Sequence, residues 1–405
     1  MNMASTDNIN KNLKLYPWFF ILFRSYAWAS IFFLYFLKHL PIEEVLLLEA
    51  IYYLAAVLLE VPSGYFSDRI GRKPTLIIAT LAQMATYGLF FWGDSFAVLA
   101  TAQLFFAASF TFASGTDKSF YYESVKRTKF KDNYGQMEAS LTKNAMFFRA
   151  FSQLLAGVLG VYAIEYGYGL SLVLSIGALI LVLQFKEINA ESKSTNTFID
   201  QLKISFNYWK VPKLLWVTVF VFFFTIVTHF PYEYFQKYID LLDLYKTASF
   251  NETPLFTGIV ASAAIFIAAF FAGNSIKLKN IIGFTNVILL TIVVNAAILF
   301  GMSYFLSSWV LLLILMRSIP SAMSGSPLVA EISPLIKDSE RATYMSINSL
   351  VGRFGYGMTL LILSNMVNVA EVDWSAISFL LKVGFYIAVV GFVVLLLFKK
   401  VKKIK

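Results

Sequence analysis

The sequence predicts an all-α integral membrane protein of twelve transmembrane helices, and three observations carry that prediction. Of its 405 residues, 58% are hydrophobic and only 14% charged, whereas a soluble domain carries about a quarter charged residues. The apolar residues gather in twelve runs, each close to the roughly 20 residues of helix that cross a ~30 Å hydrocarbon core. Basic residues cluster in alternate connections between those runs, as the topology of an inserted chain requires.

Residues 1–15 are polar, and the first run is 16–37. Ala27-Trp28-Ala29 matches the letters of a signal-peptidase site, but Arg24 interrupts the run and no polar region precedes the cut. It is therefore read as the first helix. The runs 45–66, 74–92, 97–120, 139–163 and 168–186 follow. The connection 187–212 is the longest polar stretch, and Glu191-Ser192-Lys193-Ser194-Thr195-Asn196 within it shows no apolar periodicity. It divides the chain into 1–186 and 213–405, with a second set of runs at 213–236, 254–274, 281–302, 307–331, 342–366 and 376–398. Every run must be helical, because in lipid each backbone N–H and C=O has to be satisfied within its own segment.

With both termini cytoplasmic, the inner segments collect Arg69, Arg72, Lys73, Lys126, Arg127, Lys277, Lys279 and the basic tail, and the outer loops hold only Lys38, Lys237 and Lys246. The net charge of +9 thus reads as membrane topology rather than nucleic-acid binding. The expected location is the inner (plasma) membrane. The absence of cysteine excludes disulfides, thiolate metal sites and a Cys nucleophile.

The two sets of runs repeat one another. Ser114-Gly115, Glu123 and Arg149 in the first correspond to Ser324-Gly325, Glu331 and Arg353 in the second, and Arg24 corresponds to His229. Parallel six-helix repeats are a transporter architecture.

Between the second and third runs the chain reads Gly64-Tyr65-Phe66-Ser67-Asp68-Arg69-Ile70-Gly71-Arg72-Lys73-Pro74-Thr75. This resembles the G-x-x-x-D-R-x-G-R-K signature of the major facilitator superfamily, in the loop where that family carries it. Glu60-Val61-Pro62-Ser63 and Ser114-Gly115-Thr116-Asp117 look like a bacterial branch of it. The resemblance implies two six-helix bundles related by a pseudo-two-fold axis, with helices one, four, seven and ten lining a central cavity. It also implies that the motif cluster holds one side shut during alternating access. Gly64 permits close helix approach, and Gly71 permits the tight turn. Asp68 is expected to face the start of the eleventh helix near Arg341, and Arg72 to pair with Glu123. The second-half counterpart, Gly273-Asn274-Ser275-Ile276-Lys277-Leu278-Lys279, has no acid. Gly71-Arg72-Lys73-Pro74-Thr75 has neither the spacing nor the βαβ setting of a phosphate loop, so a gradient is the expected driving force.

An ionisable residue inside a span is a functional candidate by default. Arg24, His229, Glu233 and Arg317 are the leading substrate-binding candidates, followed by Arg149 and Arg353. Arg forks suit carboxylate or phosphate groups, though each Arg can equally pair with a nearby carboxylate. Glu60, Asp117 and Glu233 are the candidate proton carriers, because burial disfavours the charged carboxylate. Tyr52, Tyr53, Tyr121, Tyr122, Tyr232 and Tyr234 are candidates for stacking on a ligand.

The expected function is gradient-driven, proton-coupled transport of a small organic solute, with a lean toward an organic anion or amphiphilic metabolite. The alternatives are proton-antiport efflux of hydrophobic drugs, or a transporter-like sensor or lipid-handling protein. The partners are the solute, protons or another coupling ion, and the lipid bilayer. A monomer is expected, with no cofactor and no enzymatic active site. The topology is tested by single cysteines. Asp94→Cys and Glu371→Cys should react with an impermeant thiol reagent from outside intact cells, and Phe130→Cys and Thr195→Cys should not; the reverse pattern contradicts the orientation.

Overall fold

A computed structural model describes residues 3–128, 133–187, 203, 206–243, 246–247, 250–337, 340–369 and 371–402. Most of the expected connection 187–212 lies outside these residues.

Within them, nine helices are long and apolar enough to cross a membrane, and a bent pair in the first span makes a tenth. Two further helices complete twelve traverses: Ile42–Ile70, of 29 residues, and Arg341–Ser364, of 24. These two are long enough to span but more polar, since one carries Glu49 and Glu60 and the other Asn348 and Arg353. They pack against each other between the bundles, where polar side chains meet protein instead of lipid. The other single-helix spans are Arg72–Trp92, Tyr134–Tyr162, Tyr166–Gln184, Pro212–Leu241, Thr253–Ile282, Phe284–Tyr304 and Trp374–Lys402. A two-residue antiparallel strand pair, Lys246↔Asn251 and Thr247↔Phe250, joins the seventh span to the eighth.

Three spans are broken. The first runs Met3–Phe23, tightens to a 3-10 turn at Ala27–Ser30 and resumes at Phe32–His39, bent by 54°. The small residues that imitated a cleavage site are the break itself. The fourth runs Phe96–Ala113 and Thr116–Lys126, interrupted at Ser114-Gly115, where Gly115 takes φ 73°. The tenth runs Val310–Leu315 and Ile319–Ile332. Its break therefore precedes Ser324-Gly325, the expected counterpart of Ser114-Gly115, which stays helical.

Gly71 turns the chain at φ 110° between the second and third spans, and Gly283 does so at φ 85° between the eighth and ninth. The second-half equivalent of the motif turn is thus ten residues beyond Gly273. Twelve traverses, an even number, would bring Met3 and Lys402 to the same face.

The bundles meet mainly along two seams, with a smaller contact of the Phe32–His39 helix on the seventh span. The second span meets the eleventh, and the fifth meets the eighth at Gly157 and Gly258. A Cβ on Gly157 would stand 2.6 Å from the Pro254 carbonyl oxygen and 3.0 Å from the Gly258 Cα, so the backbones cross with no room for a side chain. Nearer the termini the same two spans line a cleft of about 500 Å³, bordered by Phe147 and Phe266, whose ring centroids stand 5.5 Å apart. Gly157→Val should therefore lower the melting temperature of purified protein by the equivalent of about 1–3 kcal/mol. Gly273→Ala, with nothing within 4 Å of its Cβ position, should leave it unchanged or raise it.

Candidate functional site

A cavity of about 310 Å³ lies between the bundles, near the lower end of the ~300–1,000 Å³ range of ligand pockets. Its walls are largely aromatic. The break in the first span supplies Tyr26 and Trp28, the second span Tyr52 and Tyr53, the fourth Phe106 and Phe110, and the seventh Tyr232. Tyr26 sits at φ 46°, ψ 47°, a left-handed conformation uncommon for a non-glycine residue. Trp28 is fixed by a 3.1 Å hydrogen bond from its indole N–H to the Tyr87 hydroxyl and by edge-on contact with Phe106.

Four ionisable groups reach this cavity. Glu49, on the second span, accepts a 3.0 Å hydrogen bond from Gln103 on the fourth. Glu233, on the seventh, accepts a hydrogen bond from the Tyr356 hydroxyl of the eleventh; its other oxygen, Oε1, is buried without a hydrogen-bond partner. Arg149 lies over the Tyr26 ring at 4.5 Å and donates to the Arg24 carbonyl at 3.3 Å. His229 donates from Nδ1 to the Thr225 carbonyl at 2.5 Å and packs against Tyr53 and Tyr356. Each bundle thus contributes one carboxylate, and the first adds a guanidinium.

His229, Glu233 and Arg149 line the cavity; the other three candidates for substrate binding do not. Arg24 is held by Asp117 at 2.6 Å, with its guanidinium over Phe20. Arg353 crosses the interface to Glu60 at 3.1 Å, and Ser346 donates to the second Glu60 oxygen at 3.1 Å. Arg317 is 6% exposed, lies 4.0 Å over the Phe235 ring and donates to the Ile314 carbonyl. Of the expected proton carriers, Glu60 and Asp117 are therefore ion-pair partners, while Glu233 faces the cavity. Asp117 is matched by Arg24 rather than by the adjacent Lys118, which pairs with Glu138 at 2.9 Å.

The signature loop is arranged differently from expectation. Arg72 and Glu123 line one small pocket, yet no ion pair joins them among the described residues. Instead, Glu187 accepts hydrogen bonds from the backbone N–H groups of Arg72 and Lys73 at 3.0 and 2.9 Å. A carboxylate at a helix N-terminus satisfies otherwise unpaired donors and opposes the helix dipole. Arg341 donates to the Ser333 carbonyl at 3.1 Å. The Asp68 side chain and the surroundings of Gly64 lie outside what is described. In the second half, Lys213 and Lys279 both pair with Glu331, so the acid missing from that loop is supplied by the tenth span.

Glu49 was not among the residues singled out from the sequence. Its signal was present: an acid inside the run Leu46-Leu47-Leu48-Glu49-Ala50-Ile51.

The family model described as Major Facilitator Superfamily matches residues 17–360. An uncharacterized MFS-type transporter of Bacillus subtilis (strain 168), YxaM, is 25% identical over 158 residues. That match spans 39% of this chain and 38% of the relative, well under two thirds of its length. Among solved structures, a variant of the nucleoside transporter NupG superposes with a TM-score of 0.80 at 12% identity, covering 96% of this chain and 99% of that one. A variant of the peptide transporter POT superposes at 0.67, also at 12% identity, covering 96% and 95%.

The Arg24–Asp117 pair has a measurable consequence. Removing one partner of a buried ion pair leaves the other uncompensated, at a cost of about 3–5 kcal/mol. Arg24→Met and Asp117→Leu should each lower the melting temperature strongly, and the double variant should recover most of the loss. A double variant no better than the worse single one would show that the pair is not the interaction at stake.

Proposed function

The chain belongs to the major facilitator superfamily, and on that premise we propose that it carries a small organic solute through the central cavity by alternating access, driven by a proton gradient. The units that rock are 1–186 and 213–405, joined by 187–212, with both termini cytoplasmic in the inner (plasma) membrane. The observation that carries the proposal is the aromatic-walled cavity with one carboxylate from each bundle. A solute bound between Glu49 and Glu233 touches both moving bodies, so its binding free energy acts on their relative position.

The lining favours an amphiphile with a cationic or zwitterionic group over a simple anion. Arg24, on which an anion site would most depend, is occupied by Asp117. The cavity itself holds two carboxylates against Arg149. Aromatic faces attract cations and stack on planar rings. The same lining gives proton-antiport efflux of hydrophobic cations its support as a second reading.

Glu233 is proposed as the proton carrier, because it lines the cavity and is held by no ion pair among the described residues, while Glu60 and Asp117 are committed to arginines. Arg149, His229 and Glu49 are proposed as solute contacts. The loop cluster of Gly64, Asp68, Gly71, Arg72, Glu123 and Arg341 is proposed to gate the face that carries the termini.

Purified protein in proteoliposomes tests the proposal. A thermal-shift screen of anionic, zwitterionic and cationic solutes first identifies a stabilising ligand. An imposed pH gradient should then drive its accumulation. Glu233→Gln should abolish accumulation while leaving exchange of solute across the membrane without a gradient. Gradient-driven accumulation at the unmodified rate in that variant would remove Glu233 from the coupling. Ligand binding with no flux in the unmodified protein would favour a sensor.

A further inference from the structure

We infer that Gln236, on the seventh span, is a positioning residue that caps the broken first span from the opposite bundle and thereby latches the face away from the termini. The inference builds on the alternating-access reading above, but it concerns a group outside the cavity lining.

The argument begins with an unsatisfied helix end. When the first span resumes at Phe32–His39, its leading N–H groups have no carbonyl one turn earlier to pair with. Ile31 precedes that helix and has no side-chain oxygen to cap it. Water would do so at a protein surface, but this position is buried: Ile31, Phe32 and Phe33 are each at most 2% exposed. A buried donor left unpaired loses its hydrogen bond to water and gains nothing in return.

Gln236 supplies what is missing. Its Oε1 accepts from the Phe33 N–H at 2.9 Å and the Leu34 N–H at 3.3 Å, and its Nε2 donates to the Ala29 carbonyl at 3.1 Å. The side chain is fully buried. The nearer side of the break is treated differently. There the partners come from the first bundle itself: Ser171 accepts from the Trp28 N–H at 3.2 Å, and Gln153 donates to the Tyr26 carbonyl at 3.4 Å. The break is thus held by its own bundle on one side and by the other bundle on the far side.

This division makes Gln236 dependent on conformational state. If the bundles part on that face, all three of its hydrogen bonds break together, and water must replace them. While they hold, the Phe32–Tyr232 stack at 5.7 Å and the edge contact of Phe33 with Tyr234 at 5.2 Å stay closed. Glu233 stands three residues away on the same helix, so a change of its hydrogen bonding at the cavity acts on the turn that carries the latch.

The test uses a reporter cysteine at Phe33, which is 1% exposed, in this otherwise cysteine-free chain. Its reaction rate with a maleimide is measured on detergent-purified protein, with neither solute nor gradient. Gln236→Leu removes all three hydrogen bonds and should raise the rate severalfold. Gln236→Glu keeps the acceptor and loses the donor to Ala29, so it should give a smaller rise. Ser171→Ala, which removes a bond within one bundle, should leave the rate unchanged. An unchanged rate in both Gln236 variants, or an equal rise in Ser171→Ala, overturns the inference. The measurement involves no transport, so its outcome is separate from that of the accumulation assay.

Discussion

Lipid cannot form hydrogen bonds, and most of the polar arrangement of this protein follows from that constraint. A charge or an open backbone group inside the bilayer has to find its partner in the protein. Arg24 finds Asp117, and Arg353 finds Glu60. The break in the first span, which would be trivial in water, takes Gln153, Ser171 and Gln236 to satisfy it. Where the partner lies determines what each interaction does. Arg24–Asp117 lies within one bundle and ties its first span to its fourth. Arg353–Glu60 and Gln236 lie between bundles, so they hold a relative position that a transport cycle would release.

The cavity is where the constraint is left incomplete. Glu233 Oε1 is buried without a partner, an arrangement that costs free energy unless something else completes it. Under the proposed cycle, a proton or a cationic group of a solute would supply that completion. The aromatic walls then provide contact area without further charge. The two seams shape the space around it. At Gly157 and Gly258 the fifth and eighth spans cross with backbone almost in contact, while nearer the termini they line a cleft bordered by Phe147 and Phe266.

Much of the fold was legible because membrane insertion writes it plainly. The runs of apolar residues located the spans, and the loop from Gly64 to Thr75 pointed to the family that the comparisons show. The candidate site was less legible. Charge within a span marks a residue as unusual, but sequence does not tell whether its partner is a solute or another side chain. Arg24 and Arg149 look alike on that criterion; one is paired with a carboxylate and the other lines the cavity. Their repeat partners diverge as well, since Arg353 pairs with Glu60 while His229 reaches the cavity. Glu49 lies near the start of the second run, close to Glu43 and Glu44, where an acid reads as part of the polar edge of the span. Gln236 carries no charge and lies in a polar-aromatic stretch, so nothing in its local sequence marks a residue whose role depends on a helix break two hundred positions away.

The central claim is that the two bundles open on opposite faces in alternation around this cavity. Distances between spin labels on paired cysteines test it most directly. One pair, at Tyr162 and Trp309, reports the face away from the termini; another, at Tyr122 and Leu335, reports the face that bears them. All four positions are exposed. Addition of a stabilising solute, or a change of pH, should lengthen one distance while shortening the other. Distances that stay fixed, or that lengthen and shorten together, would contradict the account.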